Sequence, residues 1–216
     1  MEYAIIREIE LAKRGNTKNM LKDRLEKQIA FILEADKEKD IFRQTHVSGY
    51  KRQENDAEHA WHMALMIYLL KEYSNEKIDV AKTMMMALIH DIVEIDAGDT
   101  YAYDEKGLET QKEREEKAAE RIFGILPQEQ ANEMHALFEE FEKNETAEAK
   151  FAHAMDNLQP LLLNHINDGK DWREHGVKKT QVVNRQEKTK LGSDFLWEYT
   201  QKIIEENVQK GNIKDE

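Results

Sequence analysis

The chain has 216 residues, 40% of them hydrophobic and 35% charged, which is enough for one ordinary domain with a sizeable core. Its formal net charge of -12 disfavours an extended nucleic-acid partner but is compatible with a small nucleotide. There is no cysteine, no apolar stretch long enough to span a bilayer and no leader-like start, so we expect a soluble, cytoplasmic protein in which only His, Asp, Glu and water can bind a metal.

Two prolines, nine glycines and apolar residues recurring every three or four positions predict an all-α fold, a single-domain helical bundle. Residues 1–19 are predicted to form an N-terminal helical extension, with a turn-like break at 15–19. Residues 20–209 then form the domain, and residues 210–216 a frayed tail. A helix over 21–36 should pack through its stripe of leucines and isoleucines.

An irregular polar loop is predicted over 43–55, followed by Asp56 as the cap of the next helix. The helices at about 57–73 and 79–93 are apolar on nearly every side and should be central. The remaining predicted elements are a loop at 94–106, charged outer helices at 108–123 and 128–142, a third central helix from 147 into the 160s and, after a loop, a last helix at 194–208.

Each of the three central helices carries metal-ligand side chains among apolar neighbours. His59 lies on the first helix, His90 and Asp91 end the second, and Asp156 lies on the third. A carboxylate that faces a core must be neutralised or find a cation, because an unpaired buried charge is costly. Two imidazoles and two carboxylates suit a divalent ion such as Mn, Co, Fe, Ni or Zn, so we expect a metal site between the helices.

The order of a His, an adjacent His-Asp pair and a distant Asp resembles that of the HD-domain metal-dependent phosphohydrolases. Three segments resemble the 5'-deoxynucleotidase-like branch: Arg52-Gln53-Glu54-Asn55-Asp56-Ala57-Glu58-His59, His90-Asp91-Ile92-Val93-Glu94-Ile95-Asp96-Ala97-Gly98-Asp99, and Ala154-Met155-Asp156-Asn157-Leu158-Gln159-Pro160. The similarity covers about residues 20–205. It implies an HD-type bundle that releases phosphate from a nucleoside 5'-monophosphate.

The resemblance also implies roles for individual residues. The implied metal ligands are His59, His90, Asp91 and Asp156. Glu94 and Asp99 would act around the attacking water and the leaving group, and Arg43 would contact the substrate. A divalent metal, with Mg added to the candidates above, would polarise the phosphoryl group and lower the pKa of a bound water.

Other readings of the same residues remain open at this stage. The substrate could be a nucleoside triphosphate, a cyclic nucleotide or an alarmone, and the protein could be a catalytically silent metal-binding or nucleotide-sensing module. Glu94 and Asp99 favour catalysis, since a purely structural site needs no further acids. A ferritin-like di-metal bundle is disfavoured, because the chain has no Glu-x-x-His pair. The apolar helices make a homodimer plausible.

Overall fold

The computed structural model describes residues 2–99 and 105–215, and this part of the chain is helical apart from one small hairpin. Its elements are α1 (Glu2–Ala35), β1 (Phe42–His46), β2 (Gln53–Asn55), α2 (Asp56–Leu70), α3 (Val80–Ile89), α4 (Glu94–Ala97), α5 (Glu105–Phe123), α6 (Gln128–Lys143), α7 (Ala147–Ile166), α8 (Lys170–His175), α9 (Lys179–Gly192) and α10 (Asp194–Gln209). Short 3-10 turns cover Asp36–Asp40 and Lys71–Tyr73. The predicted all-α bundle is confirmed.

Helix α7 forms the centre of the bundle. The Thr146 side chain caps its first turn by accepting a hydrogen bond from the Ala149 backbone N–H at 3.2 Å. Most α7 side chains are buried, and Phe151 and Met155 join a core to which α2 contributes Met63 and Ile67. Helices α2, α3 and α9 pack around α7, so polar side chains on its inward turns meet residues from three other helices.

Helix α9 was not predicted, because a loop was expected before the last helix. Its buried positions are Val182, Gln186, Thr189 and Gly192, which give little apolar periodicity. At Gly192, α9 instead approaches the backbone of α7 closely, because an added Cβ there would lie 2.3 Å from the carbonyl oxygen of Lys150. The helix therefore packs tightly on α7 through small and polar residues.

The predicted loop at 43–55 is a two-stranded antiparallel hairpin. Phe42 pairs with Asn55 and His46 with Gln53, so β1 uses more residues than β2 between these pairings and is irregular. The hairpin leads directly into α2, and the residue that caps this helix is Asn55 rather than the predicted Asp56. Asn55 and Glu58 form a reciprocal capping box.

Helix α1 is continuous and runs through residues 15–19, where a turn was predicted. The stripe predicted to pack is exposed instead, with Leu21, Leu25 and Ile32 at 62%, 56% and 60% exposure. The opposite side of α1 contacts the bundle, where the Phe31 ring centroid lies 6.4 Å from that of Phe123. Helix α1 thus packs on the bundle through the side of Phe31, and no described residue covers its leucine and isoleucine stripe.

The end of the described chain is packed, in contrast to the fraying predicted for 210–216. Ile213 is buried in the main core, and the Lys214 backbone N–H donates to the carbonyl of Val177 at 3.0 Å. The division into an extension, a domain and a tail stays a prediction. Among the described helices, none is both long and apolar enough to cross a lipid bilayer.

Candidate metal centre

The four predicted metal ligands meet where α2, α3 and α7 converge. His59 lies in the first turns of α2, and the capping box at Asn55 fixes where that helix begins. His90 and Asp91 follow the last turn of α3. Asp156 lies near the middle of α7. All four side chains are buried, so the cost of removing them from water must be offset within the site.

The ligand atoms lie close enough together to share one ion. Atoms of His59, His90 and Asp91 are all within 4.8 Å of one another. Asp156 Oδ1 is 3.2 Å from His59 Nε2 and 3.9 Å from His90 Nε2. Two nitrogens and carboxylate oxygens in one buried space suit a divalent transition metal.

The hydrogen bonds of both histidines leave their Nε2 atoms directed at this space. His90 Nδ1–H donates to the carbonyl of Ala87 at 2.9 Å, which leaves Nε2 with the lone pair in the neutral ring. His90 Nε2 is buried and has no hydrogen-bond partner. An orphaned acceptor beside carboxylate oxygens is unfavourable by itself and favourable with a cation between them, so the residues fit a metal ion.

The charges within the metal-free site are strongly coupled. Burial opposes the charged form of His90, but the carboxylates of Asp91 and Asp156 raise its pKa to about 9. Against the same burial cost, His90 and then Arg43 lower the pKa of Asp91. Burial lowers the pKa of His59, and Arg43 lowers it further. In the metal-free chain, protons and arginines thus supply positive charge that a metal would provide.

A second acidic group lies beside the first. Single carboxylate oxygens of Asp56, Glu94 and Asp99 lie within 4.8 Å of one another, so these residues too could hold a cation. Glu94 Oε2 is buried and has no hydrogen-bond partner. In the metal-free chain, burial first, and then the nearby charges of Asp91 and Asp56, raise the pKa of Glu94 strongly.

Two arginines approach the metal ligands from different elements. Arg43 Nη1 on β1 donates to Asp91 Oδ2 at 2.7 Å and to Asp56 Oδ1 at 3.2 Å. Arg185 Nη2 on α9 donates to Asp156 Oδ2 at 3.2 Å. Each guanidinium bonds a carboxylate that faces the candidate metal space, and both line the same cavity.

That cavity has a volume of about 430 Å³, within the range of ~300–1,000 Å³ usual for small-molecule sites. Its lining includes His90, Asp91, Glu94, Asp99 and Asp156. Leu161 and Trp172 are among the apolar side chains of the lining. The cavity can therefore offer both charged and apolar contacts to a bound molecule.

Sequence reasoning missed several residues of the site. Arg185 lies on the unpredicted helix α9. Glu38 precedes the hairpin, and burial followed by the charge of Asp91 raises its pKa to about 8. Glu54 and Gln159 contact each other behind His59. Gln159 could have been found from its position one turn after Asp156, whereas Glu38 and Arg185 carry no local signal.

Comparison with known proteins agrees with this geometry. Residues 35–197 match the model of the HD domain. The chain belongs to the HD domain family. A crystal structure of a predicted metal-dependent phosphohydrolase from Magnetospirillum magnetotacticum MS-1 is 46% identical, with a TM-score of 0.85 over 88% of this chain and 96% of that one. The predicted resemblance to the HD domain family is thereby confirmed.

Two further relatives are more distant. The 5'-deoxynucleotidase HDDC2 of Homo sapiens is 31% identical over 112 residues, which are 52% of this HD domain chain and 53% of the human protein. This match thus spans about half the length of the curated relative. A conserved hypothetical protein from Pyrococcus furiosus is 25% identical, with a TM-score of 0.54 over 84% of this chain and 99% of that one.

Proposed function

We propose that this HD domain protein is a metal-dependent phosphomonoesterase that releases phosphate from nucleoside 5'-monophosphates, deoxynucleotides included. The observation that carries the proposal is the meeting of two imidazole nitrogens and two carboxylates at the side of a cavity that two arginines also line. The name of the human relative, a 5'-deoxynucleotidase, supports the nucleotide as substrate class.

We assign the metal to His59, His90, Asp91 and Asp156. When bound there, a divalent ion would polarise the phosphoryl group and lower the pKa of a coordinated water. The protein's own contribution is to hold the four ligands in one buried space and to orient both imidazoles through their Nδ1 atoms.

Glu94 and Asp99 carry the proton transfers in this proposal. Hydrolysis forms a bond from the water oxygen to phosphorus and breaks the bond from phosphorus to the 5' oxygen, which needs a proton. We assign Glu94, whose buried Oε2 has no hydrogen-bond partner within the protein, as the acid that protonates the 5' oxygen. Asp99 lies in the same acidic group and accepts the proton of the attacking water.

Arg43 and Arg185 hold the phosphate. Guanidinium groups bind phosphate oxygens through charge-assisted hydrogen bonds, and each arginine has only part of its donors engaged with Asp91, Asp56 or Asp156. We assign Leu161 and Trp172, which also line the cavity, to contact with the nucleoside.

A phosphate-release screen tests the function. The purified protein is incubated with nucleoside mono-, di- and triphosphates, cyclic nucleotides and an alarmone, with Mn, Co, Mg and Zn supplied separately. We expect phosphate from 5'-monophosphates and little from the others. Pyrophosphate or triphosphate release would identify another HD hydrolase, and no product with any metal would favour the silent module.

We also propose that the protein forms a homodimer through its uncovered apolar faces. The stripe of α1 is exposed, and on α2 Trp61, Tyr68 and Leu69 are 63%, 54% and 60% exposed. Light scattering at several concentrations measures the mass, and Leu25→Glu on α1 should shift it to the monomer. A wild-type monomer at all concentrations would overturn this proposal. The cytoplasmic location stays a prediction.

A further inference from the structure

The two candidate histidine ligands are oriented in different ways. His90 Nδ1–H is held by a backbone carbonyl, that of Ala87, which no side-chain substitution removes. His59 Nδ1 instead lies 2.9 Å from the side-chain oxygen Oε1 of Gln159. The orientation of His59 therefore depends on which way the Gln159 amide faces, since its oxygen accepts a hydrogen bond and its nitrogen donates one.

Glu54 determines the direction of that amide. Gln159 Nε2 donates to Glu54 Oε1 at 2.6 Å and lies 3.1 Å from His62 Nδ1. With Glu54 ionised, a flipped amide would place its oxygen against the carboxylate oxygen, so that two acceptors would face each other at that distance. Glu54, Gln159 and His59 are all buried, with no exposure for Gln159 and His59 and 3% for Glu54. Bulk water therefore has little access to replace the hydrogen bonds among Glu54, Gln159 and His59.

Resting on the proposed metal-binding function, we propose that Glu54 and Gln159 are positioning residues that fix His59 as the Nδ1–H tautomer, with the Nε2 lone pair held ready for the metal. In this tautomer Nε2 cannot donate to Asp156 Oδ1, 3.2 Å away. Both atoms are then acceptors directed at one space, and a cation between them satisfies both. In the other tautomer, Nε2–H would bond Asp156 and block the ligand position.

The test reads the tautomer and the metal affinity, not turnover. Nitrogen-15 NMR of histidine-labelled, metal-free protein should show a non-protonated Nε2 for His59. In Gln159→Leu the proton should move to Nε2, and Mn²⁺ affinity, measured by calorimetry, should fall ~10- to 100-fold, the range usual for partners of metal-bound histidines. Glu54→Gln, which retains an acceptor for Gln159, should restore most of the affinity relative to Glu54→Ala.

Gln186→Leu is the matched control. Gln186 is also buried, and its Nε2 donates to the Asn157 carbonyl at 2.8 Å without touching His59. Its loss should leave the Mn²⁺ affinity within about threefold, well below the effect of a metal-orienting partner. The inference is overturned if metal-free wild type carries the His59 proton on Nε2, a result that needs no variant to fold. Equal affinities in Gln159→Leu and Gln186→Leu would overturn it too. Phosphate release by a protein whose His59 carries its proton on Nε2 would overturn this inference alone, whereas the expected tautomer without phosphate release would count against the proposed function alone.

Discussion

His90 Nε2 lies 3.1 Å from Asp91 Oδ1, yet the nitrogen forms no hydrogen bond. Adjacent residues at the end of α3 thus place an imidazole nitrogen and a carboxylate oxygen side by side, both facing the same buried space. This arrangement is unfavourable for two acceptors alone and is relieved by a proton or a metal ion.

The ligand set can be separated from the proton-transfer group by substitution. His90→Ala and Asp156→Ala should lose both bound metal and phosphate release, because each removes a proposed ligand. Glu94→Gln should keep the metal but reduce turnover by ~100-fold or more, as expected when an acid catalyst is removed. Metal analysis and steady-state kinetics measure the two effects. Full metal occupancy in both ligand variants would contradict the assignment.

Arg43 and Arg185 should affect substrate binding. Arg43→Lys and Arg185→Lys keep the positive charge but lose the forked donor geometry, so KM should rise about 10-fold while metal content is retained. Arg52→Lys provides a control, since Arg52 forms an exposed pair with Glu58 and does not line the cavity. Equal KM values for all three variants would indicate that neither cavity arginine binds the phosphate.

Removing the metal should lower the stability of the fold. A ligand present at 100 times its Kd stabilises the folded state by about 2.7 kcal/mol, so a chelator should lower Tm by several degrees and excess Mn²⁺ should restore it. Asp156→Ala serves as the comparison, because its Tm should not respond to either addition. A chelator response that is the same in this variant would place the stabilising ion elsewhere.

The buried ring of His153 should make the free energy of unfolding depend on pH. Burial lowers its pKa from 6.5 to about 4, so between these values the unfolded chain binds a proton that the folded chain does not. The neutral ring therefore makes its full contribution to the free energy of unfolding above pH 6.5. This contribution is lost as the pH falls toward 4, by ~3 kcal/mol in total. His153→Gln should remove this dependence.

The measurement is denaturant unfolding of both metal-free proteins at several pH values. His153 Nε2–H donates to the Phe141 carbonyl at 2.9 Å, and glutamine can retain a donor there without titrating. The advantage of the wild type over the variant should shrink from pH 7 to pH 4.5. Parallel stability curves would show that the ring does not control acid sensitivity.

Much of this architecture is predictable from local pattern. Helices α2, α3 and α7 are apolar enough to be recognised as central, and His59, His90 and Asp156 stand out because they interrupt apolar surroundings. The elements that could not be predicted lack this contrast between polar residues and apolar neighbours. Apart from Val182, the buried face of α9 is built from Gln186, Thr189 and Gly192, which resemble a loop in composition.

The errors elsewhere have physical causes of the same kind. The strand β1 is half-buried and polar, so no alternation marks it. A glycine costs a helix only ~1 kcal/mol, and α1 continues through residues 15–19 despite the turn-like composition. The exposed stripe of α1 has the pattern of a packed face, because sequence periodicity gives a helix its apolar side but not the surface that covers it.

The small hairpin has a consequence for comparing and recombining HD domains. Arg43 on one strand reaches the carboxylate of Asp91, and Glu54 on the other reaches Gln159 of α7. One short segment therefore contacts both the proposed phosphate position and the residue that orients His59, a proposed metal ligand. In chimeras, we expect the hairpin, the end of α3 and the middle turns of α7 to be interchangeable only as a set taken from the same parent.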